Sequence, residues 1–97
     1  MLTYITLIRF SDEGAKTIKE SPARLDRARV AVEAAGGKIK AFYLTLGQYD
    51  AVAINEAPSE EAYAATLLAI ASAGAIRTET LRAFTEEEYR KIIAAVP

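Results

Sequence analysis

The sequence predicts a single α+β domain over residues 1–97, with four strands, two connecting helices and a final helix. Four short segments are rich in β-branched and aromatic residues, which favour strands. Between them lie segments with apolar residues at helical spacing, bounded by capping residues and by glycine or proline. A chain of 97 residues can form one modest hydrophobic core.

The first strand and the start of the first helix are predicted from residues 2–22. Leu2–Phe10, with the sequence LTYITLIRF, has the composition and length of a strand. Ser11 or Asp12 can cap a short helix that runs toward Glu20. Ser21-Pro22 offers a second helix start, because serine is a good N-cap and proline suits the first helical position. We therefore expect the helix to be broken or kinked at this point.

The second part of this helix leads into a predicted pair of strands. Apolar residues recur at helical spacing until Gly36-Gly37 supplies a left-handed stop; they are Leu25, Ala28, Val32 and Ala35. Lys38–Leu46 and Gln48–Glu56 are the second and third strands. Gly47 joins them so closely that we expect an antiparallel hairpin.

The rest of the chain predicts a helix, a strand and a final helix. Ser59 can cap a helix that ends at Gly74, with Glu60 and Glu61 placed favourably for the helix dipole. Residues 75–84, AIRTETLRAF, alternate enough to form the fourth strand. Thr85–Glu88 has the pattern of a capping box and opens a helix that reaches Ala95.

The predicted order is βαββαβ followed by a helix, which is the order of the ferredoxin-like fold. In that fold a four-stranded antiparallel sheet carries helices on one face only. Both faces of the first strand are apolar, with Tyr4, Thr6, Ile8 and Phe10 on one side and Ile5, Leu7 and Arg9 on the other. We therefore expect a homodimer, or a higher homo-oligomer, packed through the open sheet face. Alternatively, the final helix folds back over that face or swaps onto a neighbouring copy.

Composition excludes several classes of function. Twelve basic and thirteen acidic residues give a net charge of −1, and their scattered distribution argues against nucleic-acid binding. The absence of cysteine and histidine removes disulfides, thiolate catalysis and the usual zinc and copper sites. We expect no metal and no cofactor. The apolar runs are too short for a membrane span, so we expect a soluble, cytoplasmic protein that does not bind membranes.

Several segments along the whole chain resemble the GYD domain family, which is named after a glycine-tyrosine-aspartate motif. The motif lies at Gly47-Gln48-Tyr49-Asp50. The other matching segments are Lys19–Pro22 with Arg24, Gly36-Gly37, Tyr43–Leu46, Glu56–Pro58 and Arg77–Phe84. The resemblance implies a dimeric α/β barrel in which two ferredoxin-like sheets face each other. It implies no established activity, because the broader fold hosts oxygenases, haem-degrading enzymes, isomerases and ligand-sensing domains.

Tyr49 and Asp50 are the catalytic candidates. Neighbouring residues of a strand point to opposite faces, so the two side chains cannot line one pocket. We expect Tyr49 on the open face together with the small residues Ala51, Ala53 and Asn55, and Val52 and Ile54 under the helices. Asp50 either accepts backbone N–H bonds at the turn or acts as a general base. Tyr49 either packs as an aromatic residue or donates a proton to a ligand.

The ligand-binding candidates are Tyr4, Tyr43, Tyr49, Arg77 and Glu79. The three tyrosines are expected on the open face, where two sheets would meet. Arg77 and Glu79 share one face of the fourth strand. They lie either on a solvent-facing sheet edge with an ordinary cross-strand ion pair or on a polar lip of the barrel cavity, where Arg77 holds a carboxylate or phosphate.

These residues favour a small-molecule-binding protein, with the ligand between two sheets or between the sheet and the helices. The alternatives are a cofactor-independent enzyme, such as a monooxygenase or an isomerase, and a purely structural oligomerisation module. The volume and polarity of the space near Tyr49 should discriminate between these functions.

Overall fold

The computed structural model describes all 97 residues and has the predicted order of elements. Its four strands are β1 (Leu2–Phe10), β2 (Lys38–Leu44), β3 (Ala51–Ala57) and β4 (Ile76–Ala83). Its helices are α1 (Asp12–Lys16), α2 (Ser21–Ala34), α3 (Glu60–Ser72) and α4 (Glu86–Ala94). The strands form one antiparallel sheet in the order β2-β3-β1-β4, which is the ferredoxin-like arrangement. None of the helices is long and apolar enough to cross a membrane.

The predicted break in the first helix is present. A short 3₁₀ turn, Ile18–Glu20, separates α1 from α2. The guanidinium of Arg24 holds this break together by donating to the carbonyl oxygens of Gly14 and Thr17 and to the Thr17 hydroxyl. Backbone carbonyls at a helix end need such donors when the helix does not continue.

The connection between β2 and β3 is longer than the tight turn predicted at Gly47. β2 ends at Leu44 and β3 begins at Ala51, although the two strands pair antiparallel as expected. Thr45 closes the loop, because its N–H donates to the Asp50 carbonyl at 2.9 Å and its hydroxyl donates to the Tyr49 carbonyl at 2.6 Å. Residues 45–50 therefore form a loop with its own hydrogen bonds.

Helices α2 and α3 cover one face of the sheet, and the face assignment predicted for β3 was wrong. Ala51, Ala53 and Asn55 are buried on the helix side, in register with Ile8, Thr6 and Tyr4 of β1. Val52 and Ile54 lie on the open face. The prediction extended strand alternation from Tyr49 into β3, but Tyr49 belongs to the loop, where that alternation does not hold.

The open face of the sheet has no cover within the chain. It carries Ile5 and Leu7 of β1, Val52 and Ile54 of β3, and Leu81 of β4, which is 46% exposed. An uncovered apolar sheet face is typical of an interaction surface.

Helix α4 does not fold back over that face, so this alternative was wrong. The predicted capping box is formed: the Thr85 hydroxyl accepts from the Glu88 N–H, and Glu88 accepts from the Thr85 N–H. The bond from the Thr85 backbone lowers the pKa of the Glu88 carboxyl.

The radius of gyration is 14.6 Å, against about 12.5 Å for a compact chain of this length. The molecule is therefore elongated.

Candidate functional site

Four polar residues form a cluster at one end of the open face. The Tyr49 hydroxyl donates to Glu79 Oε2 at 2.8 Å. The Arg9 guanidinium lies 4.8 Å from the centre of the Tyr49 ring, and its Nε donates to the Gln48 carbonyl. Arg77 is the register partner of Arg9 on β4. Tyr49 thus links the loop to β4, next to the cationic side chain of Arg9.

This cluster includes three of the five predicted ligand-binding residues, Tyr49, Arg77 and Glu79. Tyr43 shares the open face through its pairing with Val52, but β2 lies at the opposite edge of the sheet from β4. Tyr4 was expected on the open face and lies instead under the helices, where it is buried. β4 lies at the sheet edge as expected, but neither Arg77 nor Glu79 forms a cross-strand ion pair, and Glu79 accepts from the Tyr49 hydroxyl instead.

Asp50 connects the loop to the end of β1. Its Oδ2 accepts the Phe10 N–H at 2.9 Å, and its own N–H donates to the Ile8 carbonyl at 2.8 Å. This is the backbone-binding role expected for an aspartate next to a turn. If Asp50 acted as a general base, it would do so while its Oδ2 accepts the hydrogen bond from the Phe10 N–H of β1.

A second candidate site is a cavity of about 310 Å³ between the sheet and the helices, which we call the helix-side cavity. Small side chains on the sheet leave this space open, because β3 presents Ala53 and Ala57 to the helices. Most of the wall is apolar, and its larger aliphatic and phenylalanine side chains are Ile8, Phe10, Leu25, Val32, Ile39, Phe42, Leu67, Ile70 and Ile76. The volume lies within the usual range for small-molecule sites.

A chain of side-chain hydrogen bonds crosses this apolar layer. Asn55 Nδ2 donates to Thr6 Oγ1 at 2.9 Å, and Thr6 Oγ1 lies 2.5 Å from the Tyr63 hydroxyl. The same hydroxyl lies 3.1 Å from Thr80 Oγ1. Asn55 Oδ1 is buried and has no hydrogen-bond partner. Three of the four residues, Thr6, Asn55 and Tyr63, line the helix-side cavity.

Tyr4 supports this polar chain from the side. Its ring stacks on the ring of Tyr63 with the centroids 3.9 Å apart. Its hydroxyl is also buried without a partner. Burial raises the pKa of Tyr4, and the nearby Glu60 adds to the shift, so the phenol stays protonated.

Sequence reasoning missed Thr6, Asn55, Tyr63 and Thr80 as site residues. Asn55 is the one polar residue on the helix side of β3, where the other positions are alanines. Tyr63 is the one aromatic residue of an otherwise alanine-rich helix. A lone polar residue on an apolar element was the available signal, because such a residue needs a buried partner.

Comparison with known proteins gives a family and relatives. The family model described as the GYD domain matches residues 4–93. A Thermus thermophilus protein named glutamine synthetase and cystathionine beta-lyase binding protein is 36% identical over 84 residues. Those residues make up 86% of this chain and 88% of the relative.

Two solved structures are similar in fold. The feast or famine regulatory protein of M. tuberculosis, solved in complex with L-methionine, matches with a TM-score of 0.67 at 19% identity. The match covers 88% of this chain and 51% of that one, so the chain spans about half the regulator's length. At this identity the likeness shows the fold alone. TTHA0845 from Thermus thermophilus matches with a TM-score of 0.56 at 26% identity, covering 88% and 95% of the two chains.

The hydrogen bond to Glu79 raises the pKa of Tyr49, and this predicts the effect of removing the carboxylate. Replacing Glu79 with glutamine should lower the Tyr49 pKa toward the ordinary value of about 10. Because the folded-state pKa is the higher one, the pair stabilises the fold below about pH 10. That contribution is lost as the pH rises through the folded-state value. NMR titration of tyrosine Cζ carbons would measure the shift, with Tyr49→Phe assigning the signal. An unchanged Tyr49 pKa in Glu79→Gln would show that the hydrogen bond to Glu79 is not the cause of the raised pKa.

Proposed function

The chain belongs to the GYD domain family, and we propose that it is a small-molecule-binding protein that works as a homodimer. The ligand is an uncharged, largely apolar molecule held in the helix-side cavity. The observation that carries this proposal is the cavity of about 310 Å³ with its mostly apolar wall. Pockets of this kind, with a few convergent polar groups, are the usual small-molecule sites of proteins.

The charged residues around the cavity either have partners already or are exposed, and this favours an uncharged ligand. Arg24 already donates to three oxygen atoms of the α1–α2 connection. Glu56 pairs with Lys40 at 3.9 Å, and Arg27 is exposed. The inner wall therefore offers only neutral dipoles, and a charged ligand would lose its hydration without gaining an ionic partner.

Asn55 supports a ligand that carries at least one hydrogen-bond donor. Leaving a buried acceptor such as Asn55 Oδ1 without a donor costs about 1–3 kcal/mol. An O–H or N–H group on a bound molecule would supply that donor. The polar chain through Thr6 and Tyr63 would then fix the orientation of the ligand, as polar groups do in apolar pockets.

Filling the cavity should abolish binding. Ala28 of α2 lines the cavity, whereas Ala34 of the same helix is exposed and does not. Ala28→Phe should raise the Kd of the probe 3-phenylpropan-1-ol, a largely apolar molecule with one O–H donor, by about tenfold or more, which corresponds to about 1.4 kcal/mol. Ala34→Phe should leave it unchanged. Titration followed by ¹H–¹⁵N NMR measures both. Equal loss in the two variants, or no binding by the parent protein, would contradict the proposal.

The homodimer is proposed from the open face. Ile5, Leu7 and Ile54 form the centre of this apolar surface, and nothing in the chain covers them. Apolar surface removed from water contributes about 25 cal/mol per Å², so pairing two such faces gains several kcal/mol. This interface leaves the helix-side cavity accessible, because the cavity lies on the opposite side of the sheet.

A carboxylate on the open face should break the dimer. Leu81 lies on that face and is 46% exposed, while Leu68 lies on α3 and is 69% exposed. Leu81→Glu should raise the dimer Kd on the order of a hundredfold, because burying an unpaired charge costs about 3 kcal/mol. Leu68→Glu, the matched control, should leave the dimer intact. Sedimentation velocity separates the two outcomes, and a wild-type protein that sediments as a 10.5 kDa monomer would refute the dimer.

A second candidate function is binding to metabolic enzymes. The relative at 36% identity, with nearly equal length, is named as a protein that binds glutamine synthetase and cystathionine beta-lyase. Exposed apolar side chains on the outer helices, including Val30 of α2 and Leu68 of α3, would suit contact with another protein.

This second function predicts a complex with at least one of those two enzymes from the same organism. On size exclusion, the 10.5 kDa protein should shift to the elution volume of the enzyme when the two are mixed. Serum albumin serves as the negative control. Elution of the protein at its own volume in both mixtures would argue against this function.

A further inference from the structure

We propose that α4 is an exchanged arm, whose apolar face packs on a second copy of the chain at the margin of the open face. The inference rests on the proposed homodimer and adds a second contact to it. It concerns α4, which contributes no residue to the helix-side cavity or to the polar cluster around Tyr49.

The residues of α4 divide into one apolar and one charged face. Tyr89, Ile92 and Ile93 follow the i, i+3, i+4 spacing that places them on one side of the helix, and Val96, two residues past its end, continues the apolar pattern. All four are between 45% and 62% exposed. The rest of the helix surface carries two ion pairs within the helix, Arg90 with Glu86 and Lys91 with Glu87. The charged side is thus satisfied by itself, and the apolar side has no partner.

A helix of this length needs a packing partner to be stable. α4 has nine residues, whereas isolated helices shorter than about 12–15 residues are marginal in water. Its capping box helps, but most helical stability in proteins comes from packing of the apolar face. Within the chain, α4 makes no extended contact with any other element. The surface that stabilises it must therefore belong to another molecule.

The area of the open face favours a second copy as that molecule. Four strands spaced about 4.8 Å apart, with about 3.3 Å per residue, give a face of about 500 Å² per copy. Two such faces bury about 1,000 Å² in total, below the roughly 1,200–2,000 Å² of stable interfaces. Two α4 helices would bring the area into that range. The helix follows β4, whose Leu81 and Ala83 belong to the open face, so the two contacts would be continuous.

The direct test is an isotope-filtered NOE experiment on a mixture of ¹³C-methyl-labelled and unlabelled protein. Filtered cross-peaks arise only between copies. We expect them from the methyl groups of Ile92 and Ile93 as well as from Ile5, Leu7 and Ile54 of the sheet. Cross-peaks from the sheet methyls alone would overturn the exchanged arm and leave the homodimer standing. The absence of all intermolecular cross-peaks would overturn both.

A pair of variants on α4 checks the same point by affinity. Ile93 lies on the apolar face and Ala94 on the charged side, and both are exposed in the single chain. Ile93→Glu should raise the dimer Kd at least about tenfold. Ala94→Glu should change it less than about twofold. Equal effects of the two substitutions would contradict an arm that docks through its apolar face.

Discussion

The structure depends on an unequal distribution of side-chain volume between the two faces of the sheet. On the helix side, β3 presents Ala51, Ala53 and Ala57, which are too small to fill the layer beneath α2 and α3. On the open side it presents Val52 and Ile54. Protein interiors are close-packed, so small residues where large ones are usual leave space, and large residues on an uncovered face require a partner. The helix-side cavity and the apolar open face are two consequences of one alternating strand.

The buried polar chain gives the cavity its chemical character. Thr6, Asn55, Tyr63 and Thr80 bring four polar side chains into a layer where apolar residues would stabilise the fold more simply. A partly satisfied network is costly, because Asn55 Oδ1 and the Tyr4 hydroxyl lie buried without partners. A bound molecule that offers a donor would turn this cost into binding selectivity.

The sequence predicted the elements far better than the site. The bounds of β1, the break before Ser21 and the Thr85 capping box followed from local propensity and capping, which act over a few residues. The faces of β3 did not follow, because they depend on how residues 45–50 close their loop. A one-residue shift in the strand register at that loop moves every side chain of the strand to the other face. Because Tyr49 lies in this loop and not on β3, its side chain can reach Glu79.

The central claim is that the ligand lies between the sheet and the helices, while the open face serves the dimer. Intermolecular NOEs between unlabelled 3-phenylpropan-1-ol and the ¹³C-labelled methyl groups of the protein test it most directly. We expect NOEs to Val32, Leu67 and Ile70, which line the helix-side cavity. NOEs to Leu7, Val52 and Ile54 instead would place the ligand on the open face and contradict the claim.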